Sequence, residues 1–354
     1  MGGNPGGIFR HGKYAYASYF CNLVRLGCLI TMKSIASAFL AGLTLTLASG
    51  AALAQAYPSK PIRWVVPYPA GGGSDFLART IGQQLSTQVG QTVLVDNKPG
   101  ANTAIAASEV ARSAPDGYTV LSADNGTMTF NSALYSKLSY HPDKDLPPIT
   151  LMGRFPMILV VGPGSDAKDA KDFIAKAKAA PGKISYGSAG AGSPHHLAME
   201  MLKNTAKLHM VHIPYRGAAP ALGDLAGGQI PVMMVDMAAG AAFIKSGKIR
   251  PLAVANDKRL PQLPDVPTFD ELGVKGVESA ALVGLVGPAA LPADVKATLQ
   301  KQVAAAIHSP AISQKLIEFG VEPVGSSTAD YAALLKSENA RWHQLIKDLK
   351  ITLD

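Results

Sequence analysis

Cysteine is nearly absent from this chain: there are two in 354 residues, Cys21 and Cys28, both close to the N-terminus. Beyond them no thiol exists to form a disulfide, attack a substrate or hold zinc through sulfur. Aromatic residues are scarce at 6%, and charged residues make up only 16%. Lysines and arginines outnumber acids by 33 to 25, but they are interspersed. They form no basic stripe of the kind that tracks a phosphate backbone, which excludes nucleic acid as a partner. The glycine-rich run Gly71-Gly72-Gly73-Ser74-Asp75-Phe76 has neither the G-x-G-x-x-G spacing of a dinucleotide site nor the G-K-[ST] of a P-loop, so no cofactor is expected. His195, His196, His209 and His212 match neither HExxH nor a zinc-finger pattern. His209 and His212, three apart on a strand-like run, point to opposite faces, and no metal is expected. Ser188 lies in Tyr186-Gly187-Ser188-Ala189-Gly190, which lacks the first glycine of a nucleophile elbow, and no carboxylate pair suggests glycosidase chemistry. The sequence does not read as an enzyme.

What is present begins with an export signal. From Met32 come Lys33, an apolar run from about Ile35 to Leu47, and small residues at Ala52-Leu53-Ala54. This is the charged start, apolar core and A-x-A cleavage pattern of a signal peptide, expected over 32–54. Residues 1–31, without periodicity, are expected to be a non-native extension, with translation starting at Met32. Cleavage after Ala54 leaves 300 residues and removes both cysteines. It also removes Arg10, Lys13, Arg25 and Lys33 with no acid, so a formal net charge of +8 falls by four to +4. No later apolar run approaches the ~20 residues of a spanning helix, so the mature chain is expected in the periplasm, not in the membrane.

The mature chain alternates β-rich runs with helical stretches, the pattern of an α/β protein with parallel sheets. Strands are expected at 62–66, 93–95, 118–122, 184–186, 230–235 and 252–255. Helices are expected at 75–89, 102–114, 167–180 and 195–202. The chain is expected to be helical from Pro292 to the end, including an amphipathic helix at 329–349. The similar runs Met157–Val161 and Leu282–Val286, each followed by Gly-Pro, read as two strands crossing between lobes. The expected division is a first lobe of 57–160 with 287–354 and a second of 161–286, with a ligand cleft between them at the carboxyl ends of strands.

Two loops carry the chemistry. Pro67-Tyr68-Pro69-Ala70-Gly71-Gly72-Gly73-Ser74-Asp75 joins a strand to a helix, so its backbone N–H groups and the helix N-terminus make an anion site. Asp75 would cap that helix or fix water beside the ligand. Ser188-Ala189-Gly190-Ala191-Gly192-Ser193 repeats the arrangement in the second lobe, with Ser193 as N-cap and Pro194 at the first helical position. One of His195 and His196 is expected near the ligand. Asn125 and Thr127 follow a first-lobe strand and offer amide and hydroxyl groups. Tyr215 and Arg216 follow the run 210–213; the arginine would either grip a second carboxylate or lie solvated in a surface turn. Asp236 would either cap the next helix or bond a ligand hydroxyl or amine.

In order along the chain, these segments resemble the Bug family, the periplasmic solute receptors of tripartite tricarboxylate transporters. The matching stretches are VVPYPAGGGSD (65–75), VDNKPGA (95–101), APDGYTVL (114–121), PGKISYGSAGAGSPHHLAME (181–200), HIPYRGAAPALGDLAGGQI (212–230), SGKIRPLAVAN (246–256) and LPDVPTFDELG (263–273). The resemblance implies a type II periplasmic-binding-protein fold: two α/β lobes joined by two crossing strands. It implies that Ala70 to Asp75 and Ser188 to Ser193 hold a ligand carboxylate, partly through water. It also implies a small carboxylate ligand and membrane-embedded transporter subunits as partner; the mature chain is expected to be a monomer. This chain departs from the family at Pro99-Gly100-Ala101-Asn102-Thr103, where PGAGG is common, and at Ala280-Ala281-Leu282, where an aromatic pair is common. Two other readings are a ligand-presenting sensor for a signalling partner and a periplasmic hydrolase of a carboxylate ester, using Ser188 beside His195.

Overall fold

Strand β1 (Ile62–Val66) is apolar at four of five positions because it runs through the middle of a layer, with β2 (Val93–Asn97) and β3 (Thr119–Ala123) parallel on either side. The computed structural model describes residues 1–3 and 57–354, so the expected signal peptide and nearly all of the extension lie outside the described residues. Helix α1 (Gly73–Val89) connects β1 to β2 and buries Leu77, Ala78, Ile81 and Leu85, which fall on one face at helical spacing. It stops at Gly90, left-handed at φ 68°, whose N–H returns to the carbonyl of Ser86. Trp64 is fully buried beneath it, with Nε1 donating to Ser122 Oγ at 2.9 Å. Burying a large apolar side chain of this kind contributes about 1.5–3 kcal/mol. Helix α2 (Ala104–Ala111) leads to β3; it starts two residues later than the sequence suggests, because residues 101–103 form a left-handed turn.

Strand β4 (Pro148–Val161) belongs to two layers. Its first half pairs antiparallel with β9 (Ala280–Val286), which in turn pairs with β3. From Met157 onward it pairs antiparallel with β7 (Val232–Asp236) and β8 (Arg250–Ala255). The second layer continues from β7 to β5 (Ser185–Ser188) and β6 (Val211–Pro214), all parallel. The chain returns beside this outward crossing, where Pro156 pairs with Ala280 and the Met157 N–H donates to Ser279 O at 2.9 Å. The run 282–286 therefore lies wholly in the first layer, and the crossing precedes it.

Helices α3 (Ala170–Ala179), α4 (Pro194–Ala206), α5 (Ala218–Ala226) and α6 (Met237–Lys245) accompany the second layer. Helices α7 (Ala293–His308), α8 (Pro310–Glu318) and α9 (Thr328–Asp348) accompany the first. The C-terminal part is not purely helical: Gly320, at φ 87°, ends the α8 region, and β10 (Glu322–Pro323) adds to β4 at Gly153 and Arg154. No helix among the described residues is long and apolar enough to cross a membrane.

Candidate functional site

The first glycine-rich loop leaves β1 and enters α1 without a side-chain cap, because the N-cap is Gly72. The leading N–H groups of α1 thus lack the intrahelical partner and the capping oxygen that would satisfy them. Asp75 is the third residue of the helix rather than its N-cap. Its Oδ2 accepts from Gly71 N at 2.9 Å and Arg79 Nε at 3.0 Å, and its Oδ1 from Asn97 Nδ2 at 2.9 Å. Burial pushes its carboxyl up, but these three donors outweigh that and hold it below the usual carboxylate range. Asp75 fastens the loop to the helix and to β2.

The second loop leaves β5 and enters α4, where Ser193 Oγ accepts from His196 N at 3.3 Å and Pro194 occupies the first helical position. Two histidines hold the loop from behind. His196 Nδ1 accepts the N–H of Gly192 at 3.1 Å, and His212 Nε2 meets Ser188 Oγ at 2.7 Å. The two rings stack at 4.0 Å, and Tyr186 stacks on His212 at 4.9 Å. Burial, helped by Lys203, lowers His196 to about 4. Burial, then His196 and Lys203, lowers His212 to about 3 against the opposing pull of Glu200. Both rings are therefore neutral at pH 7, as the Gly192 contact requires, because only a deprotonated Nδ1 accepts.

Each loop packs against the opposite layer. A methyl group at Gly73 would stand 3.0 Å from the Phe155 ring and 3.2 Å from Ala238 Cβ in the first turn of α6. One at Gly192 would stand 2.5 Å from Asn102 Nδ2 and 2.9 Å from Leu134 and Leu353. An apolar seam lies alongside: Leu197 and Met201 of α4 cluster with Phe130, Leu134, Trp342 and Ile346 from the first-layer side. Beside the second loop, at the start of α4, His195 Nε2 lies 3.2 Å from Asp236 Oδ2, while Asp236 Oδ1 caps α6 through Ala239 N at 3.0 Å. Asp236 is in register with Met157, where β4 changes layer.

Comparison with known proteins decides the family. A match to the tripartite tricarboxylate transporter family receptor runs over residues 77–351. The chain belongs to this receptor family. Its fold is shared with an R. palustris protein, Rpa4515, solved with adipate, at 35% identity and TM-score 0.79, covering 82% of this chain and 97% of that one. The periplasmic binding protein BugD matches at 33% identity and TM-score 0.78, covering 84% and 99%. MatC from Rhodopseudomonas palustris, solved with bound malate, matches at 30% and TM-score 0.76, covering 82% and all of that chain. The two layers are thus the two lobes of a periplasmic-binding-protein fold, and the family is one of solute-binding receptors.

In this family member, the residues singled out from sequence fall into two groups. Ala70, Gly71 and Gly72 are exposed on the first loop, with Ser74 half-buried at the start of α1; Ala189, Gly192 and Ser193 line the second loop, with His195 in the first turn of α4 and Asp236 at the N-cap of α6. The others are engaged elsewhere. Tyr68 OH donates to Asp124 Oδ2 at 2.5 Å. Thr127 is buried, its N–H and Oγ1 both on Asp124 Oδ1, and Asn125 Oδ1 accepts from Leu282 N at 2.5 Å, tying β3 to β9. Ser188 bonds His212 rather than His195. Tyr215 OH donates to Asp224 at 2.7 Å while its N–H braces Ser188 O, and Arg216 is exposed. Among the described residues no group of three or more His, Cys, Asp or Glu is placed to hold a metal ion.

Sequence reasoning missed Asn102. Residues 101–103 have φ of 45°, 45° and 73°, a left-handed run without glycine. It is held by reciprocal amide bonds: Asn102 Nδ2 donates to Asn131 Oδ1 and Asn131 Nδ2 to Asn102 O, both at 2.7 Å. The signal was the departure from PGAGG, which put asparagine and threonine where the backbone favours glycine.

Proposed function

We propose that this chain is a periplasmic receptor that captures a small carboxylate between its lobes and delivers it to membrane-embedded transporter subunits. The observation that carries the reading is a pair of strand-to-helix loops, one in each lobe, each rich in glycine, each ending at a helix N-terminus and each packed against the opposite lobe. Such termini favour anions, and two of them can hold one carboxylate from both sides. The adipate and malate bound by related receptors support a carboxylate of this size. The lobes divide at Pro156–Met157 and Ser279–Ala280, where the pairing changes, and the N-terminal signal directs export.

Turnover is not part of this proposal. Ser188 is fully buried and its one imidazole partner, His212, is held at about 3, too weak a base to activate a hydroxyl at neutral pH. A thermal-shift panel of mono-, di- and tricarboxylates, amino acids and aromatic acids tests the reading. At a hundredfold excess over Kd a ligand stabilises by about 2.7 kcal/mol, a shift of several degrees. One acid class giving such a shift supports the receptor; a flat panel together with ester hydrolysis would refute it.

A further inference from the structure

The left-handed turn at residues 101–103 includes Thr103 at φ 73°, a β-branched residue at an angle where such residues are outliers. Strained backbone of this kind persists only where its surroundings hold it. Here the surroundings are polar and buried. Asn131, of zero exposure in the helical segment 126–134, bonds both the side chain and the carbonyl of Asn102. Thr127 Oγ1 bonds Thr103 Oγ1 at 2.9 Å and Asp124 Oδ1 at 3.1 Å. Asp124 Oδ2 accepts from Tyr68, whose carbonyl accepts from Asn97 Nδ2 at 3.0 Å, and the same amide serves Asp75. A continuous run of hydrogen bonds thus leads from the first glycine-rich loop to the 101–103 turn.

The far end of that run meets the other lobe. A Cβ at Gly192 would stand 2.5 Å from Asn102 Nδ2 and 2.9 Å from both Leu134 and Leu353, all three in the first lobe. The N–H of Leu353 donates to Leu134 O at 2.9 Å, so the two leucines make the apolar side of a socket and Asn102 its polar side. From behind, His196 Nδ1 accepts the Gly192 N–H. We propose that Asn102 is a positioning residue: fixed by the buried network, it seats Gly192 and so sets the second loop against the first. It acts through Gly192 rather than on the ligand itself. This deepens the receptor reading and rests on it.

Asn102→Gly removes the side chain that meets Gly192, and glycine suits the left-handed turn. Ser122→Ala is the comparison, because it takes one buried hydrogen bond, that of Trp64 Nε1, from inside the first lobe. Amide exchange of residues 188–193 is followed by mass spectrometry and stability by urea denaturation. Binding of succinate, malate, adipate, citrate and glutamate is measured by calorimetry. In N102G, exchange across 188–193 is expected to quicken about tenfold and the tightest of these acids to weaken about tenfold, within the range of coupling between residues in contact. S122A should lower the urea midpoint while leaving exchange and affinity within about twofold. Gly192→Ala gives a second reading: it should cost about threefold less affinity in the N102G background, where Asn102 no longer crowds the added methyl. Unchanged exchange or unchanged affinity in N102G, or losses that simply add in the double variant, overturns the inference while leaving a carboxylate receptor standing. If none of these acids binds the unaltered protein, the receptor reading itself falls, and this inference with it.

Discussion

The N–H of Gly192 donates to Nδ1 of His196 across 3.1 Å, so the conformation of the second glycine-rich loop depends on that ring staying unprotonated. An imidazolium would carry a proton at Nδ1 and repel the amide it now accepts.

Acid should therefore loosen the protein in a defined window. His196 sits near 6.5 when unfolded and at about 4 when folded, so between these values the unfolded chain binds more protons and stability falls as pH falls. The contribution is fully present above about 6.5, is on the order of 3 kcal/mol, and is exhausted below about 4. Urea denaturation at pH 7, 5.5 and 4 should show the midpoint dropping with the m-value unchanged, and a carboxylate ligand should weaken in parallel. A flat midpoint over this range would refute the assignment.

Gly192→Ala should be costly twice over. The backbone there is left-handed at φ 76°, and the added methyl meets Asn102, Leu134 and Leu353 at under 3 Å. A loss of about 1–3 kcal/mol is expected from the strained backbone, with a large loss of ligand affinity. Chemical denaturation and calorimetry on the same variant check both.

Asp75→Asn removes the charge that Arg79 and Gly71 share while leaving the side chain nearly the same size. The stability loss should be about 1–3 kcal/mol, and smaller at low pH, where the native aspartate loses its own advantage. Comparing the two proteins at pH 7 and pH 3 by urea denaturation tests the sign.

Leu197→Ala empties a position of zero exposure in the seam between α4 and α9. Truncating a buried leucine costs about 2–5 kcal/mol. Because the seam joins the lobes, ligand affinity should fall as well, which truncation of a residue inside one lobe, such as Ile81, should not reproduce. Calorimetry on L197A and I81A distinguishes the two.

Much of this was legible in the sequence where chemistry is local. β1, its glycine loop and α1 announce themselves by an apolar run, a glycine cluster and helical spacing, and Asp236 reads as a cap because it stands between a strand and a helix. β4 was legible only as 157–161, since Pro148, Gly153 and Pro156 look like breakers. The strand carries them through bulges between 148 and 150 and between 151 and 153, with Pro156 at the change of layer. The stack of Tyr186, His196 and His212 was invisible, because it arises from parallel pairing of β5 with β6, which brings residues 186 and 212 into register. The same pairing gives Ser188 its true partner and leaves His195 to Asp236.

The seam has a thermal consequence. Leu197 and Met201 from one lobe meet Phe130 and Trp342 from the other, so a receptor that parts its lobes to admit a solute would wet part of this surface and dry it again on capture. Drying apolar area lowers heat capacity. The enthalpy of capture should therefore grow more favourable as temperature rises, even for a ligand that is itself wholly polar, because the signal comes from the receptor closing on its own hydrocarbon.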